Sequence, residues 1–581
     1  MPLNNLTSLI SLLLLCVPSA TDQRFTEFDT IDGFPAKPII EVTHVDDLVT
    51  NNIRGNGITP QTVPSDRRVD CLPDGAMISL CATRNCILDM QAPHGAPKCY
   101  FPQNTGYKVL TTSSNGTTLE KAPGIGSPFG EDIPHITFKT TTIKNSTLNV
   151  RISAEGRFEP MIDIPRNVYD TGESFDVVIS NETGIFSFKV QRHSTKTIVW
   201  DTSIGGLLFA EQYLQIAALL GSSEIYGIGE NAHSRLRHDV EHYATWALLA
   251  RDSWPYAYPA YVEERNKRNL YGVYPFLMAL EKDYKAHGLL ILNTNPQDIT
   301  IGPAPHIVYR TIGGMLDIYF FPGPTPENVV QQYLALIGKP SLPPYWALGF
   351  QLGRFGFKSF DEMQQRISEV QKVGIPLDVV YFDRDYMDGY QDFTLKEGWE
   401  QLPTYIKHLH DENIYTMLIF DPSIQADSAA FERAITAGAR FLEWESEDEV
   451  QREVQDLYPL ARNTKVMLGV SWPDRHVAFA DFSASETAVW WQNEITRFHK
   501  QVPFDGMWLS MNEPSNFGTN RAFPDHFDDP NHPNITTLKC PLSGNYSKFD
   551  MPPYETYNVY KYNERYLSSN TLCMLALTEN G

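Results

Sequence analysis

Positive charge is the first thing this sequence is short of. Its 581 residues carry 47 Lys and Arg against 70 Asp and Glu, a formal net charge of −23. That balance argues against nucleic acid, whose binders concentrate Lys and Arg, and equally against an anionic membrane surface. Long apolar runs are also missing. The run from Leu9 to Val17 is too short to span a bilayer, and no other stretch is long enough. Small Ser19 and Ala20, then polar Thr21-Asp22-Gln23, follow it, so residues 1–20 are expected to be a cleaved signal peptide with no transmembrane segment. Cysteine is sparse too, at seven, and Cys16 would leave with that peptide. The other six are an even number suited to an oxidising compartment. Four crowd between Cys71 and Cys99, while Cys540 and Cys573 stand far off, so one stapled module and one loop clip are expected. Sequons at Asn115, Asn145, Asn181, Asn534 and Asn545 fit export, which places the protein outside the cell or in the secretory lumen. The ligand class this charge leaves open is a neutral polyol such as a sugar.

Texture divides the chain. Residues 65–107 hold Cys71, Cys81, Cys86 and Cys99 and resemble a P-type trefoil module with its first cysteine absent and Ile87 where the fifth would be. The resemblance implies that those two would pair, so that Cys71–Cys86 and Cys81–Cys99 remain. A segment so short buries little core of its own and is expected to pack against its neighbour. Residues 108–340 form short β-rich runs such as Thr147–Ile152 and Phe175–Ile179, punctuated by Gly, Asn and Pro, the pattern of a β-sandwich. The first sustained helical period is Glu327–Ile337.

From 341 to 581 strands and helices alternate. Trp346–Leu352 reads as a buried strand, and Ser359 with Glu362 as a capping box opening a helix that ends at Gly374 and Pro376. Leu377–Tyr381, Ile414–Phe420 and Gly506–Met511 read as further strands, with helices at Thr404–Glu412 and Thr487–Lys500. Repeated βα units of this spacing point to a parallel (β/α)8 barrel. About four barrel strands precede Gly581, so the sequence is expected to hold the first half of such a barrel.

Barrels place chemistry at the C-terminal ends of their strands. Two such ends stand out: Tyr381-Phe-Asp383-Arg-Asp385-Tyr-Met387, with Asp392 beyond it, and Trp508-Leu-Ser510-Met-Asn-Glu-Pro-Ser-Asn-Phe517. Alone, Asp383 and Asp385 could simply brace a loop, and Trp472 and Trp508 could be core. Together with Gly227-Ile-Gly-Glu230, Arg251-Asp252, Asn269-Leu-Tyr-Gly272, Pro344-Tyr-Trp346, Asp421-Pro422, Ser471-Trp-Pro473 and Ala480-Asp-Phe482, they resemble glycoside hydrolase family 31.

That resemblance implies α-linked gluco-oligosaccharide as ligand, no cofactor and no metal. Its retaining mechanism uses two carboxyl groups about 5 Å apart, one attacking the anomeric carbon and one handling the proton. It assigns Asp252 and Asp383 to sugar binding and Trp472 and Trp508 to the pocket wall. At the nucleophile position, where the family has Asp, stands Ser510. A serine hydroxyl lacks the charge that stabilises an oxocarbenium-like transition state, and no adjacent base is evident. Glu513 is a remote substitute, because the family already has a Glu there. The acid/base aspartate would lie beyond Gly581, and Arg384, where an apolar residue is usual, should crowd the pocket. Cys540–Cys573 matches a family disulfide in the loop after the fourth strand. The expected protein is therefore a secreted, catalytically inactive homologue that binds carbohydrate or a partner. The alternative is a retaining α-glucosidase in which Ser510 is compensated and the chain extends further. His238-Asp-Val-Glu241-His242 fits an H-x-x-E-H zinc pattern, but it falls in the β-rich region without a third ligand and is read as accidental.

Overall fold

The computed structural model describes residues 62–144, 146–160, 162–181, 184–233, 235–251, 269–524, 533–560 and 566–579. The expected signal peptide over residues 1–20, with Cys16, and also Asn145 and Asp252 lie outside them. The cysteine-rich module is a few short pieces: a turn at Ser65–Arg67, a helix at Leu80–Thr83, and strands Ile87–Leu88 and Cys99–Tyr100 paired antiparallel. Two disulfides, Cys71–Cys86 and Cys81–Cys99, supply the cross-links that so few strands cannot. Arg68 lies across the Tyr100 ring, 4.1 Å from its centroid, and donates to Asp89 at 2.7 Å. Val69, Phe101 and the buried cysteines pack with Phe129, Leu208, Tyr213 and Val308 of the β-region that follows, so the module's core is shared with its neighbour.

That β-region is two antiparallel eight-stranded sheets. Their facing sides alternate inward Val190, Trp200, Ile216, Ile299, Ile318 and Phe320 into one core. Strands Ala286–Ile291 and Leu316–Phe321 are buried on both sides, because helix Pro326–Ile337 covers their outer face through Val329 and Leu336. That explains their nearly continuous apolar sequences. Thr325 caps the helix in a reciprocal box with Asn328. Asn115, Asn181, Asn534 and Asn545 are all exposed.

Next comes a parallel sheet whose strands run in chain order: β1 (Gln351–Arg354), β2 (Val379–Phe382), β3 (Tyr415–Phe420) and β4 (Gly506–Leu509). Helices α1 (Phe360–Lys372), α2 (Leu402–Asp411) and α3 (Ser485–Gln501) pack on one face through Met363, Ile367, Ile406, Leu409, Trp490 and Phe498. Among the described residues no further strand pairs with the outer edge of β1 or β4. The expected strand over Trp346–Leu352 needs correction. Tyr345–Leu348 is a short 3-10 turn after Pro344, Trp346 stacks on Tyr415 at 4.8 Å, and pairing starts only at Gln351. Ser359 caps α1 by accepting from the Glu362 amide at 3.1 Å, while the Glu362 carboxylate reaches Lys358, one residue before the cap. Between β3 and β4 a small sheet (Ser423–Gln425, Leu468–Gly469, Val477–Phe479) shares a core with the Cys540–Cys573 disulfide.

One hydrogen-bonded hook ties the segment after β4 to the sandwich. Buried Asp298 accepts from the Tyr554 hydroxyl at 2.6 Å and the Tyr557 amide at 2.8 Å. Burial nevertheless pushes its carboxyl up to about 6 from an ordinary 3.8. A raised acid favours the folded state when protonated, so its contribution is complete below about pH 3.8 and is lost as pH climbs through about 6. The neutral replacement Asp298→Asn should therefore gain on the wild type as pH rises. By the 1.36 kcal/mol that each unit represents, the gain is up to about 3 kcal/mol. Thermal unfolding of both proteins at pH 4 and pH 7.5 checks this; a constant difference between them would refute it.

Candidate active site at the C-terminal rim of the barrel strands

The side chains at the ends of β2, β3 and β4 meet around Arg384. β2 ends at Phe382, and Asp383 then caps a tight turn, Arg384–Tyr386, by accepting from the Arg384 amide at 2.7 Å. That turn folds the Arg384 side chain inward over the end of the neighbouring strand, where it is buried. Its Nε and Nη2 donate to the two oxygens of Asp421, just past β3, at 2.7 Å each. This is the bidentate geometry in which a guanidinium pairs most strongly with a carboxylate. Nη1 lies 3.4 Å from Asp383, and Nη2 also reaches Ser510 Oγ at 3.4 Å and Met511 Sδ at 3.2 Å. The guanidinium sits over the Trp472 ring, 4.8 Å from its centroid. Trp472 in turn donates from Nε1 to Met511 Sδ at 3.0 Å.

Strand geometry explains the layer beneath. Residues two apart share a face, so Tyr381 lies under Asp383 and Trp508 under Ser510. Their rings meet edge to face at 5.8 Å. Ser510 is half-buried, and its amide donates to the Phe420 carbonyl at 3.0 Å, which fixes the end of β4 against β3. Around Trp472 stand Phe355, Tyr390 and Phe517 at 5.5, 5.9 and 5.6 Å.

Electrostatics follow burial. It raises the carboxyl of Asp383, partly opposed by the Arg384 charge. Asp385 is raised by burial to about 6, although the Gly356 amide donates to it at 3.0 Å. Asp392, which accepts from the Asp421 amide at 3.0 Å, is held well above the carboxylate range by burial and then by the neighbouring Asp421. Burial works against the Arg384 charge, yet Asp421 and then Asp383 more than offset it. Arg384 is thus the fixed cation that lets several acids share one small volume.

Asp383, Trp472 and Ser510 are therefore brought together, all through Arg384, with Trp508 one layer below. Sequence reasoning had no sign of the roles of Met511, Phe355 or the Asp421 fork. The one available signal was the presence of a long cation at a strand end, which demands a buried anion from an adjacent strand. Among the described residues, the group with metal-ligating spacing is Cys71, Cys86 and Cys99, all consumed in disulfides. The His238–His242 segment is a loop. His238 Nε2 is bonded to the Gly227 carbonyl at 2.8 Å, and His242 to Asp239 at 2.9 Å.

Comparison with known proteins places these features. Residues 340–574 match the glycosyl hydrolases family 31 TIM-barrel domain, and residues 61–102 the trefoil (P-type) domain. The chain is 35% identical over 515 residues to intestinal sucrase-isomaltase of Oryctolagus cuniculus, covering 84% of this chain and 27% of that protein. It is 34% identical over 481 residues to lysosomal alpha-glucosidase of Mus musculus, covering 80% and 48%. The chain thus spans about half, or less, of the length of these curated relatives. Among solved structures, a Flavobacterium johnsoniae GH31 dextranase complexed with isomaltotriose aligns with TM-score 0.53 at 20% identity, over 71% of this chain and 47% of that one. A glucosidase II alpha subunit aligns with TM-score 0.54 at 16% identity, over 71% and 52%. At such identities these two support the fold alone.

Proposed function

The chain belongs to glycoside hydrolase family 31, and from that premise we propose that it is a non-hydrolysing member that recognises neutral α-linked gluco-oligosaccharide at its barrel rim. The observation that carries the reading is the pairing of Ser510 with Arg384. Where retaining chemistry needs a carboxylate to meet the developing positive charge, the chain offers a neutral hydroxyl. The charge next to that hydroxyl is itself positive, the guanidinium 3.4 Å away. A cation there opposes an oxocarbenium-like transition state, and among the described residues the partner of Ser510 Oγ is that guanidinium, a donor and not a base. The acids that remain, Asp383 and Asp385, together with Trp472 and Trp508, are the hydrogen-bonding and stacking groups that bind a sugar without breaking it.

We place the protein in the secretory pathway or outside the cell. Three disulfides, which persist in oxidising compartments, and exposed sequon asparagines support that placement. Incubation of the purified 581-residue chain with maltose and with 4-nitrophenyl α-glucoside should release no glucose or nitrophenol above a mock purification. Turnover that scales with protein concentration and disappears in Ser510→Ala would sink the reading.

A further inference from the structure

The guanidinium of Arg384 is the best-bonded group at the rim, and its surroundings are those of a ligand pocket already in use. It is planar and cationic. It lies on the face of Trp472 at 4.8 Å, is forked by both Asp421 oxygens at 2.7 Å, and has Asp383 and Ser510 at 3.4 Å. A hexose bound here would stack its apolar face on the same indole and direct its hydroxyls at the same carboxylates. Sugar and guanidinium cannot both occupy that space.

We propose that Arg384 is an internal ligand of the pocket, a tethered planar cation that keeps sugar recognition latent until its side chain is withdrawn. This rests on the sugar-recognition reading above. Geometry fixes the chemical class of the occupant: a flat cation with two parallel N–H donors on one edge, matched by one carboxylate in its plane and one indole below it. Closure is firm because a fork with both members buried is abandoned only by leaving Asp421 uncompensated among Asp383, Asp385 and Asp392. Ser510 Oγ, which meets the guanidinium at 3.4 Å, is the group that an emptied pocket frees for a ligand, while Asp383 keeps its 2.7 Å bond from the Arg384 amide and loses only the longer contact at 3.4 Å.

The test uses the full chain in three forms: wild type, Arg384→Ala and Arg384→Gln. Maltotriose is titrated by isothermal calorimetry, and methylguanidinium at low millimolar concentration is followed by thermal shift. Arg384→Ala should bind maltotriose at least tenfold more tightly than the wild type. Methylguanidinium should raise its melting temperature, leave the wild type unmoved, and compete with the sugar. Gln, which fills much of the volume without the charge, serves if the Ala protein does not fold, and should show the same gain in maltotriose binding. Equal affinity in wild type and variants would overturn the internal-ligand proposal while leaving sugar recognition intact. No maltotriose binding by any folded form, with methylguanidinium still stabilising Arg384→Ala, would remove the sugar reading itself and the latency with it.

Discussion

Replacing Asp421 with Ala is expected to cost about 3–5 kcal/mol of stability, the usual penalty for stranding one partner of a buried ion pair. Arg384 would stay in place with its Nε and one Nη2 bond unanswered, facing Asp383 and Ser510 Oγ at 3.4 Å, the weak acceptor Met511 Sδ at 3.2 Å and the Trp472 ring. Asp392 gives little help, because its burial disfavours the charged form even without Asp421. The companion change makes the argument specific. Arg384→Met with Asp421→Ala removes both charges and should recover most of the loss, since an apolar pair of similar volume does as well as a buried ion pair. Urea denaturation followed by tryptophan fluorescence measures all three variants. If the double variant is no better than Asp421→Ala, the carboxylate matters for packing and not for charge.

Trp200→Ala should be comparably damaging, at about 3–5 kcal/mol. The indole is fully buried between the two sheets, edge-on to Phe320 at 5.8 Å and in one core with Val190, Ile216 and Ile318. Such a core cannot close over the hole, because both sheets are pinned by their strand pairings. Trp200→Phe should behave very differently. The indole Nε1–H is buried and meets no acceptor among the described residues, so the benzyl ring forfeits area but also discards an unanswered donor. A loss below about 2 kcal/mol is expected for Phe, half or less of the Ala effect. Equal losses for Phe and Ala would show that the indole nitrogen has a function in the folded state. Calorimetric melting of the two variants decides it.

The two regions were legible in the sequence to different degrees, for physical reasons. Helices announced themselves through their first turns. Ser359 with Glu362 placed the start of α1, and the apolar stripe of Glu327–Ile337 placed a helix one residue short of its observed start at Pro326. Strand order in the barrel followed from alternation alone, because consecutive βα units lie side by side. The sandwich gave no such help. His306–Thr311 pairs with Gln297–Gly302 on one side but with Tyr213–Leu220 on the other, and nothing local encodes a partner some ninety residues back. Trp346–Leu352 misled because an apolar run of that length reads the same in a strand as in a turn with one stacked aromatic. At the rim, Asp383, Ser510 and Trp472 could be picked out by motif. The fork between Arg384 and Asp421 could not, since it depends on the direction in which the Arg384–Tyr386 turn throws one long side chain.

The hook at Asp298 has a consequence for timing. Tyr554 lies 256 residues further along the chain, and the entropy of closing a loop grows only as the logarithm of its length. In equilibrium terms that great separation therefore adds little beyond what a short loop would cost. In kinetic terms the contact can form only once the sandwich has presented Asp298 and the later segment has delivered Tyr554. An interaction absent from the folding transition state governs how fast the native state is left and hardly at all how fast it is reached. A contact that closes after that barrier makes the hydroxyl of Tyr554 a latch on departure, slowing loss of the native state without speeding its formation.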